Sequence, residues 1–333
     1  MPKAHIAILD SEVSRIIATG EGSDRLVFES QVGAYALFKS QGFYVDFVNE
    51  DEIQAGGLGD YRLLVVPFAY AMHAATAKKI KDWVGEGGFL MAGMWCGAKD
   101  GFGFGQYVVP GFGLDEVFGA REERLTPFFS EQDTRVTNMF GTFGPVQITG
   151  RPLFTIVEPV KPDGVAHVGD TFNGFAYASS LRPEKSSDVI ARDGRGDAVA
   201  VRGHYGKGQA LMVGTFPIRP KDFAEDGLTR LAHDFASLAG ITRPACILNR
   251  HDKEVEAKLL LNKGHTGLLA LLNAEPEEFA FEVVLEGMVL KSAVNLETGA
   301  AVQFSERNGN TYLRARLGAQ DAAGIYFEEQ DAG

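Results

Sequence analysis

The sequence predicts an α/β protein with an open, mostly parallel sheet and helices on both faces, followed by a small antiparallel β-sandwich. Short apolar runs alternate with amphipathic helical segments over the first hundred residues, which is the order of parallel α/β units. Strand-like runs and turns then alternate over about 120–222. After Pro244 every recognisable segment has the length and spacing of a sandwich strand. We therefore expect two domains, 1–244 and 245–333, with the β-rich segment inserted in the first.

The first domain begins with a strand at 5–10 (HIAILD), an apolar run ending in an acid, as buried parallel strands often do. Residues 11–22 are polar and contain Gly, which predicts a loop. Helix 24–41 has an apolar face and a Gly stop at Gly42. Further strands are predicted at 44–49, 63–68, 89–95, 188–192, 198–202 and 209–215, and further helices at 74–86, 114–118 and 223–239.

The second domain is predicted from strands alone, separated by polar turns. Its predicted strands are 258–261, 267–273, 279–284, 289–295, 311–315 and 324–327.

Composition narrows the classes of partner and compartment. A formal net charge of −12 argues against nucleic acid and anionic membrane surfaces, because neutralising phosphates needs clustered Lys and Arg. Cys96 and Cys246 stand 150 positions apart, which suggests a reducing compartment rather than a disulfide scaffold. Neither a signal peptide nor an apolar run of membrane-spanning length is recognisable, so we expect a cytoplasmic protein without a membrane partner.

Several segments carry a resemblance to a known family. They are 59–93, 111–125 (GFGLDEVFGAREERL), 204–216 (HYGKGQALMVGTF), 239–244 (AGITRP) and, in the tail, 268–283. In this order and spacing they resemble the trimerisation domain and the C-terminal β domain of family 42 β-galactosidases. The resemblance implies a class I glutamine amidotransferase-like, flavodoxin-related fold and a homo-oligomer, a trimer. The family's catalytic Glu residues lie in a (β/α)₈ barrel that this sequence lacks, so no residue here inherits their roles.

Cys96 is the candidate nucleophile. It follows the predicted strand 89–95, at the carboxyl edge where open α/β sheets bind ligands. The amidotransferase-like superfamily holds its nucleophilic Cys at the same place, within a G-x-C-x-G turn. Here the sequence is GMWCGAKD, with the Gly three positions before Cys96, so a non-catalytic thiol is the alternative. His73 and Glu12 are its candidate catalytic partners, and the more distant His204 is an alternative to His73.

Other side chains at the same edge are candidate ligand contacts. The alternative for the acids is that they cap turns and helix starts. The two Phe residues fit either a subunit interface or stacking on a sugar. The candidates are Asp10, Tyr70, Lys99, Asp100, Phe102 and Phe104.

No cofactor or metal is expected. The run 101–105 (GFGFG) superficially resembles a phosphate loop, but neither a helix nor a Lys-Ser/Thr pair follows it. The seven His residues lack metal-binding spacing, and no G-x-S-x-G elbow occurs.

Three functions remain open. The first is a non-catalytic, carbohydrate-linked accessory that oligomerises or binds sugar. The second is a Cys96-dependent hydrolase or amidotransferase-like enzyme. The third is a glycoside hydrolase with new carboxylates, for which Asp10, Glu12, Asp100 and Asp170 are the nearest candidates.

Overall fold

A mixed α/β open sheet followed by antiparallel sheets forms the protein, as the sequence predicts at that level. The structure is a computed structural model, which describes residues 3–22, 24–127, 152–174, 177–217, 227–249, 254–262 and 265–330.

Six α-helices and nineteen strands lie in these described ranges. The helices are α1 (Glu12–Glu21), α2 (Asp24–Lys39), α3 (Glu50–Gln54), α4 (Ala74–Glu86), α5 (Leu114–Phe118) and α6 (Gly227–Leu238). The strands of the first sheet are β1 (Ile6–Asp10), β2 (Val45–Asn49), β3 (Leu63–Val66), β4 (Phe89–Ala92), β5 (Ala120–Pro127), β6 (Leu153–Ile156), β7 (Thr171–Asn173), β8 (Tyr177–Pro183), β9 (Asp188–Asp193), β10 (Ala198–Tyr205) and β11 (Gly208–Val213). The remaining strands are β12 (Cys246–Ile247), β13 (Val255–Leu261), β14 (Thr266–Asn273), β15 (Phe279–Leu285), β16 (Leu290–Asn295), β17 (Phe304–Arg307), β18 (Asn310–Leu317) and β19 (Asp321–Glu329).

The first sheet has a parallel half and an antiparallel half. Its order is β2-β1-β3-β4-β11-β10-β9-β6-β7, and β5 and β8 branch from β10. Strands β2, β1, β3, β4 and β11 pair in parallel, whereas β11, β10, β9, β6 and β7 pair antiparallel. The strands after residue 120 therefore extend the same sheet through β11, which lies directly beside β4.

The inner strands of the parallel half, such as β1 and β3, are buried on both faces. Along β1, Ile6 and Ile8 belong to one apolar core, and Ala7 and Leu9 belong to the core on the opposite face. Burial on both faces explains why this strand is a continuous apolar run rather than an alternating one. The carboxyl ends of β1, β3 and β4 consequently emerge together at one edge.

The loop predicted at 11–22 is wrong, because residues 12–21 form α1. The Ser11 side chain caps the helix by accepting a hydrogen bond from the Ser14 amide, and Gly22 ends it at φ 71°. The helix is 10 residues long, and its apolar set, Val13, Ile16 and Ile17, spans little more than one turn, with Ile16 exposed. The N-cap residue Ser11 and the C-cap residue Gly22 are the sequence signals from which this helix could have been predicted.

The strand predicted at 89–95 is shorter in the structure, because β4 ends at Ala92 and a turn follows. The predicted helix at 223–239 corresponds to α6 from Gly227 onward, and residues 223–226 lie outside the described residues.

The strands after residue 245 form two four-stranded antiparallel sheets, β12-β15-β18-β17 and β13-β14-β19-β16. Side chains of both sheets, such as Phe281 and Phe327, share one apolar core, which makes the arrangement a sandwich. Tyr44, directly before β2, contacts the sandwich, since its hydroxyl donates to the Leu259 carbonyl (2.9 Å) and accepts from the Leu259 amide (2.7 Å).

Within the described part of the chain, no helix is both long and apolar enough to cross a membrane.

Candidate functional site

The Cys96 thiol is buried beneath the carboxyl edge of the sheet. Its residue is 1% exposed, and it packs in the apolar core below the sheet edge. Burial raises the pKa of the thiol to about 12, and the nearby charge of Glu122 raises it further in the same direction. At neutral pH the sulfur is therefore a thiol, whereas the nucleophile in thiol chemistry is the thiolate.

We expect Cys96 to alkylate slowly in the folded protein. The pKa lies far above the free value, so the thiolate fraction at pH 8 is on the order of one part in ten thousand. Iodoacetamide labelling followed by mass spectrometry measures the rate, with Cys246→Ser to isolate the signal. Rapid labelling at pH 7, with the protein folded, would contradict the buried thiol and favour the Cys96 enzyme.

The turn 93–97 places Trp95, rather than Cys96, at its centre. Gly93 and Gly97 flank Trp95 two positions away on each side, so the sequence reads G-x-W-x-G about this residue. Trp95 adopts φ 61°, a conformation that bulky side chains rarely take. A Cβ on Gly93 would lie 2.6 Å from the Pro67 carbonyl oxygen, so only Gly fits there.

Glu122 holds this turn, although no sequence pattern predicted a role for it. Its carboxylate accepts a hydrogen bond from the Trp95 amide, and the Ser179 hydroxyl hydrogen-bonds to it as well. Burial raises the pKa of Glu122 to about 7, although both hydrogen bonds act in the opposite direction. A register shift between Glu122 and Arg124 marks a β-bulge in β5, a feature that re-aims side chains.

Aromatic side chains surround the turn. The Trp95 ring lies 5.2 Å from the Tyr177 ring and 5.9 Å from the Phe68 ring, and Phe68 stacks on Tyr70 at 5.1 Å. Each such offset or tilted ring pair stabilises the folded state by about 0.5–1.5 kcal/mol beyond the contribution of its buried area. The position at the centre of the turn is thus filled by an indole in an aromatic cluster.

Tyr70 and Lys99, both candidate ligand contacts, meet at Glu21 of α1. The Tyr70 hydroxyl donates to one Glu21 oxygen (2.8 Å), and the Lys99 ammonium pairs with the other. Lys99 also lies 5.3 Å from the centre of the Tyr70 ring. These polar groups are satisfied within the chain, so any ligand has to compete with Glu21 for them.

Of the two candidates near the start of α1, Asp10 has side-chain partners and Glu12 is exposed. Asp10 accepts hydrogen bonds from Arg15 (3.0 Å) and Gln31 (2.9 Å). Glu12 is exposed in the first turn of α1, where a carboxylate interacts favourably with the helix dipole.

His73, the predicted base, is exposed at the N-cap of α4. Its ring covers Gly101, since a Cβ there would lie 2.3 Å from His73 Nδ1. Cys96 is buried while His73 and Glu12 are exposed, so this arrangement weighs against a Cys96–His73–Glu12 set, whose catalytic role stays a prediction.

His204, the alternative partner, lies on β10, where its Nε2 is 3.2 Å from Asp188 Oδ2.

A hairpin at 98–106 carries the remaining candidates. Asp100 Oδ1 accepts hydrogen bonds from the backbone amides of Phe102 and Phe104, each at 2.9 Å, so this carboxylate fixes the shape of the hairpin tip. Phe102 and Phe104 are 87% and 70% exposed.

Asp170 lies at the opposite end of the sheet from Asp10. It precedes β7 and pairs with Arg230 at 3.3 Å. Six strands separate β1 from β7, which at about 4.8 Å per strand is on the order of 30 Å. Glycosidase carboxylates stand about 5–10 Å apart, so Asp10 and Asp170 do not form such a pair.

A cleft of about 370 Å³ lies between the side of the first sheet and the sandwich, away from the predicted site. Tyr35, Lys39 and Tyr44 line it on one side and Glu256 of β13 on the other, and Lys39 pairs with Glu256 at 2.7 Å. Among the residues that the structure describes, no group of three His, Cys, Asp or Glu side chains is arranged to hold a metal ion.

Comparison with known proteins relates the chain to part of a larger enzyme. β-Galactosidase BgaB of Geobacillus sp. is 24% identical over 176 residues, which covers 52% of this chain and 21% of that protein. The chain therefore spans about a fifth of the length of this curated relative.

Solved structures show the same fold. The β-galactosidase of Bacillus circulans sp. alkalophilus matches with TM-score 0.71 and 16% identity, over 98% of this chain and 41% of that one. The α-L-fucosidase isoenzyme 2 of Paenibacillus thiaminolyticus matches with TM-score 0.62 and 12% identity, over 98% of this chain and 49% of that one.

The family match is the most extensive of the sequence comparisons. Residues 6–242 match the family described as the β-galactosidase trimerisation domain, and they include the whole first sheet. The chain therefore belongs to the β-galactosidase trimerisation domain family.

Proposed function

We propose that this chain is a non-catalytic, β-galactosidase-related accessory that assembles as a homotrimer. The observation that carries the proposal is the family match over 6–242, together with a site whose central position is an indole rather than a nucleophile. The described residues form an open sheet and a sandwich, without a (β/α)₈ barrel. The chain alone is expected to leave β-galactosides intact.

The fold detail supports the same assignment. We infer that the first domain has the class I glutamine amidotransferase-like, flavodoxin-related fold. In its support, β2, β1, β3 and β4 pair in parallel in that order, and a tight turn with positive φ follows β4. Trp95 occupies the middle of that turn, where the G-x-C-x-G pattern has its Cys, so the domain retains the turn without the thiol.

A cytoplasmic location and a carbohydrate ligand belong to the same proposal. Both cysteines are free and buried, which fits a reducing compartment. A neutral sugar suits a chain of net charge −12 better than a polyanion does. Tyr70 and Lys99 at the carboxyl edge are the groups that a sugar would meet.

Sedimentation equilibrium tests the assembly. We expect a mass three times that of the 36.0 kDa chain at micromolar concentration. A mass equal to one chain at every concentration up to about 100 μM would overturn the proposal. A two-chain mass would contradict its stoichiometry.

A further inference from the structure

The hairpin at 98–106, hereafter the aromatic hairpin, projects from the carboxyl edge with its backbone fixed. The Lys99 amide donates to Tyr70 O (2.6 Å), the Asp100 amide to Phe104 O (2.8 Å) and the Gln106 amide to Ala98 O (2.8 Å). Asp100 ties down the tip through its two backbone contacts. The hairpin is therefore held in shape by polar contacts and does not depend on burying its own aromatic rings.

Its large apolar side chains face solvent. Phe102 and Phe104 are largely exposed, and Tyr107 directly after the hairpin is fully exposed. The tip lies over α1, since a Cβ on Gly103 would be 3.9 Å from Ile17 Cδ1, and the neighbouring Ile16 is exposed as well. Clustered exposed apolar groups on a rigid support are typical of an interaction site.

Two ion pairs and a hydrogen-bonded carboxylate lie beside the hairpin. Lys99 pairs with Glu21, Arg15 pairs with Asp10, and Asp100 accepts hydrogen bonds from backbone amides. These groups keep their partners when the surface is covered, which lowers the cost of burying them. In a chain of net charge −12, copies repel at long range, so a self-contact needs an apolar area of this kind.

We propose that the aromatic hairpin is the element by which one copy of this chain docks on the next. The proposal rests on the homotrimer proposed above. In a closed three-fold ring each contact joins two different surfaces, so a projecting knob on one copy meets a complementary surface on its neighbour. Exposed aromatic side chains at the centre of an interface commonly carry most of its binding free energy.

The double substitution Phe102→Ser/Phe104→Ser tests the proposal by sedimentation equilibrium of the full chain. We expect the variant to sediment as a monomer where the wild type is a trimer, with association weakened by at least about 100-fold. Circular dichroism should stay unchanged, because both rings are exposed within one copy, and the thermal midpoint should fall only by the amount that the lost association accounts for. Leu296→Ser, an exposed apolar position on the second domain, serves as the matched control and should remain trimeric.

Salt gives an independent readout. Raising NaCl from about 0.1 to 1 M screens the repulsion between copies, so wild-type association should strengthen. Association that weakens with salt would overturn the apolar contact.

The outcomes separate the two proposals. A trimeric double variant would overturn the hairpin contact and leave the homotrimer standing, whereas a monomeric wild type would overturn the homotrimer itself. If the wild type does not self-associate and instead binds a soluble galactan through the hairpin, the homotrimer is also overturned. The hairpin would then be a sugar-binding element.

Discussion

Replacing Gly111 by Ala is expected to destabilise the first domain by about 3 kcal/mol or more. A Cβ on Gly111 would lie 2.0 Å from the Gly97 carbonyl oxygen and 3.0 Å from its carbonyl carbon. Gly97 is itself fixed at φ 61°, and the Gly111 amide donates to the Cys96 carbonyl at 3.0 Å. The closest clash is with the Gly97 backbone, so a side-chain rotation cannot relieve it.

Urea unfolding measures this loss, and Gly105→Ala is the matched control. Gly105 lies in the same loop with open space where its Cβ would project and without positive φ. We expect the Gly105 variant to stay within about 0.5 kcal/mol of the wild type. Equal stability of both variants would show that the turn 93–97 and the segment around Gly111 are not packed as described. Since this packing supports the aromatic hairpin, Gly111→Ala should also weaken assembly.

Replacing Glu122 by Gln is expected to stabilise the protein at alkaline pH and leave it unchanged near pH 4.5. Burial raises the folded-state pKa from 4.5 to about 7, so the folded state binds this proton more tightly than the unfolded chain does. The favourable contribution of the protonated group is fully present below pH 4.5 and is lost as pH rises through about 7. At pH 8 the neutral Gln variant should be more stable by roughly 3 kcal/mol, while its side-chain oxygen still accepts from the Trp95 amide.

The comparison is made as the difference in unfolding free energy between variant and wild type from pH 4.5 to 8. Glu123→Gln is the control, because Glu123 is the neighbouring residue and its side chain is exposed. The difference for Glu123 should be nearly independent of pH. A flat difference for Glu122 would contradict a buried, neutral carboxyl at the turn.

Continuous apolar runs made the parallel strands predictable from sequence. The run HIAILD contains β1, and it is continuously apolar because both faces of the strand are buried. The same pattern identified β3. The sandwich strands β14 and β15 were predicted from apolar segments between polar turns. Helix α1 was missed because it is only 10 residues long, and its apolar set, Val13, Ile16 and Ile17, lies among polar residues and Gly20.

The candidate site was predictable in its position but not in its chemistry. The carboxyl edge follows from strand order, and it does gather Tyr70 and Lys99. Glu122 was hidden because adjacent acids in AREERL look like a solvated charge run, and only pairing with β8 reveals the bulge that marks its place. The burial of Cys96 is likewise a tertiary property, since the side chains that enclose it come from distant segments.

A three-dimensional reconstruction of the assembled wild-type chain by electron cryomicroscopy shows both the number of copies and the contact between them. We expect three copies around a closed three-fold axis, with Phe102 and Phe104 of each copy buried against its neighbour. Three copies with the aromatic hairpin in solvent, or a two-fold dimer, would contradict the proposed assembly.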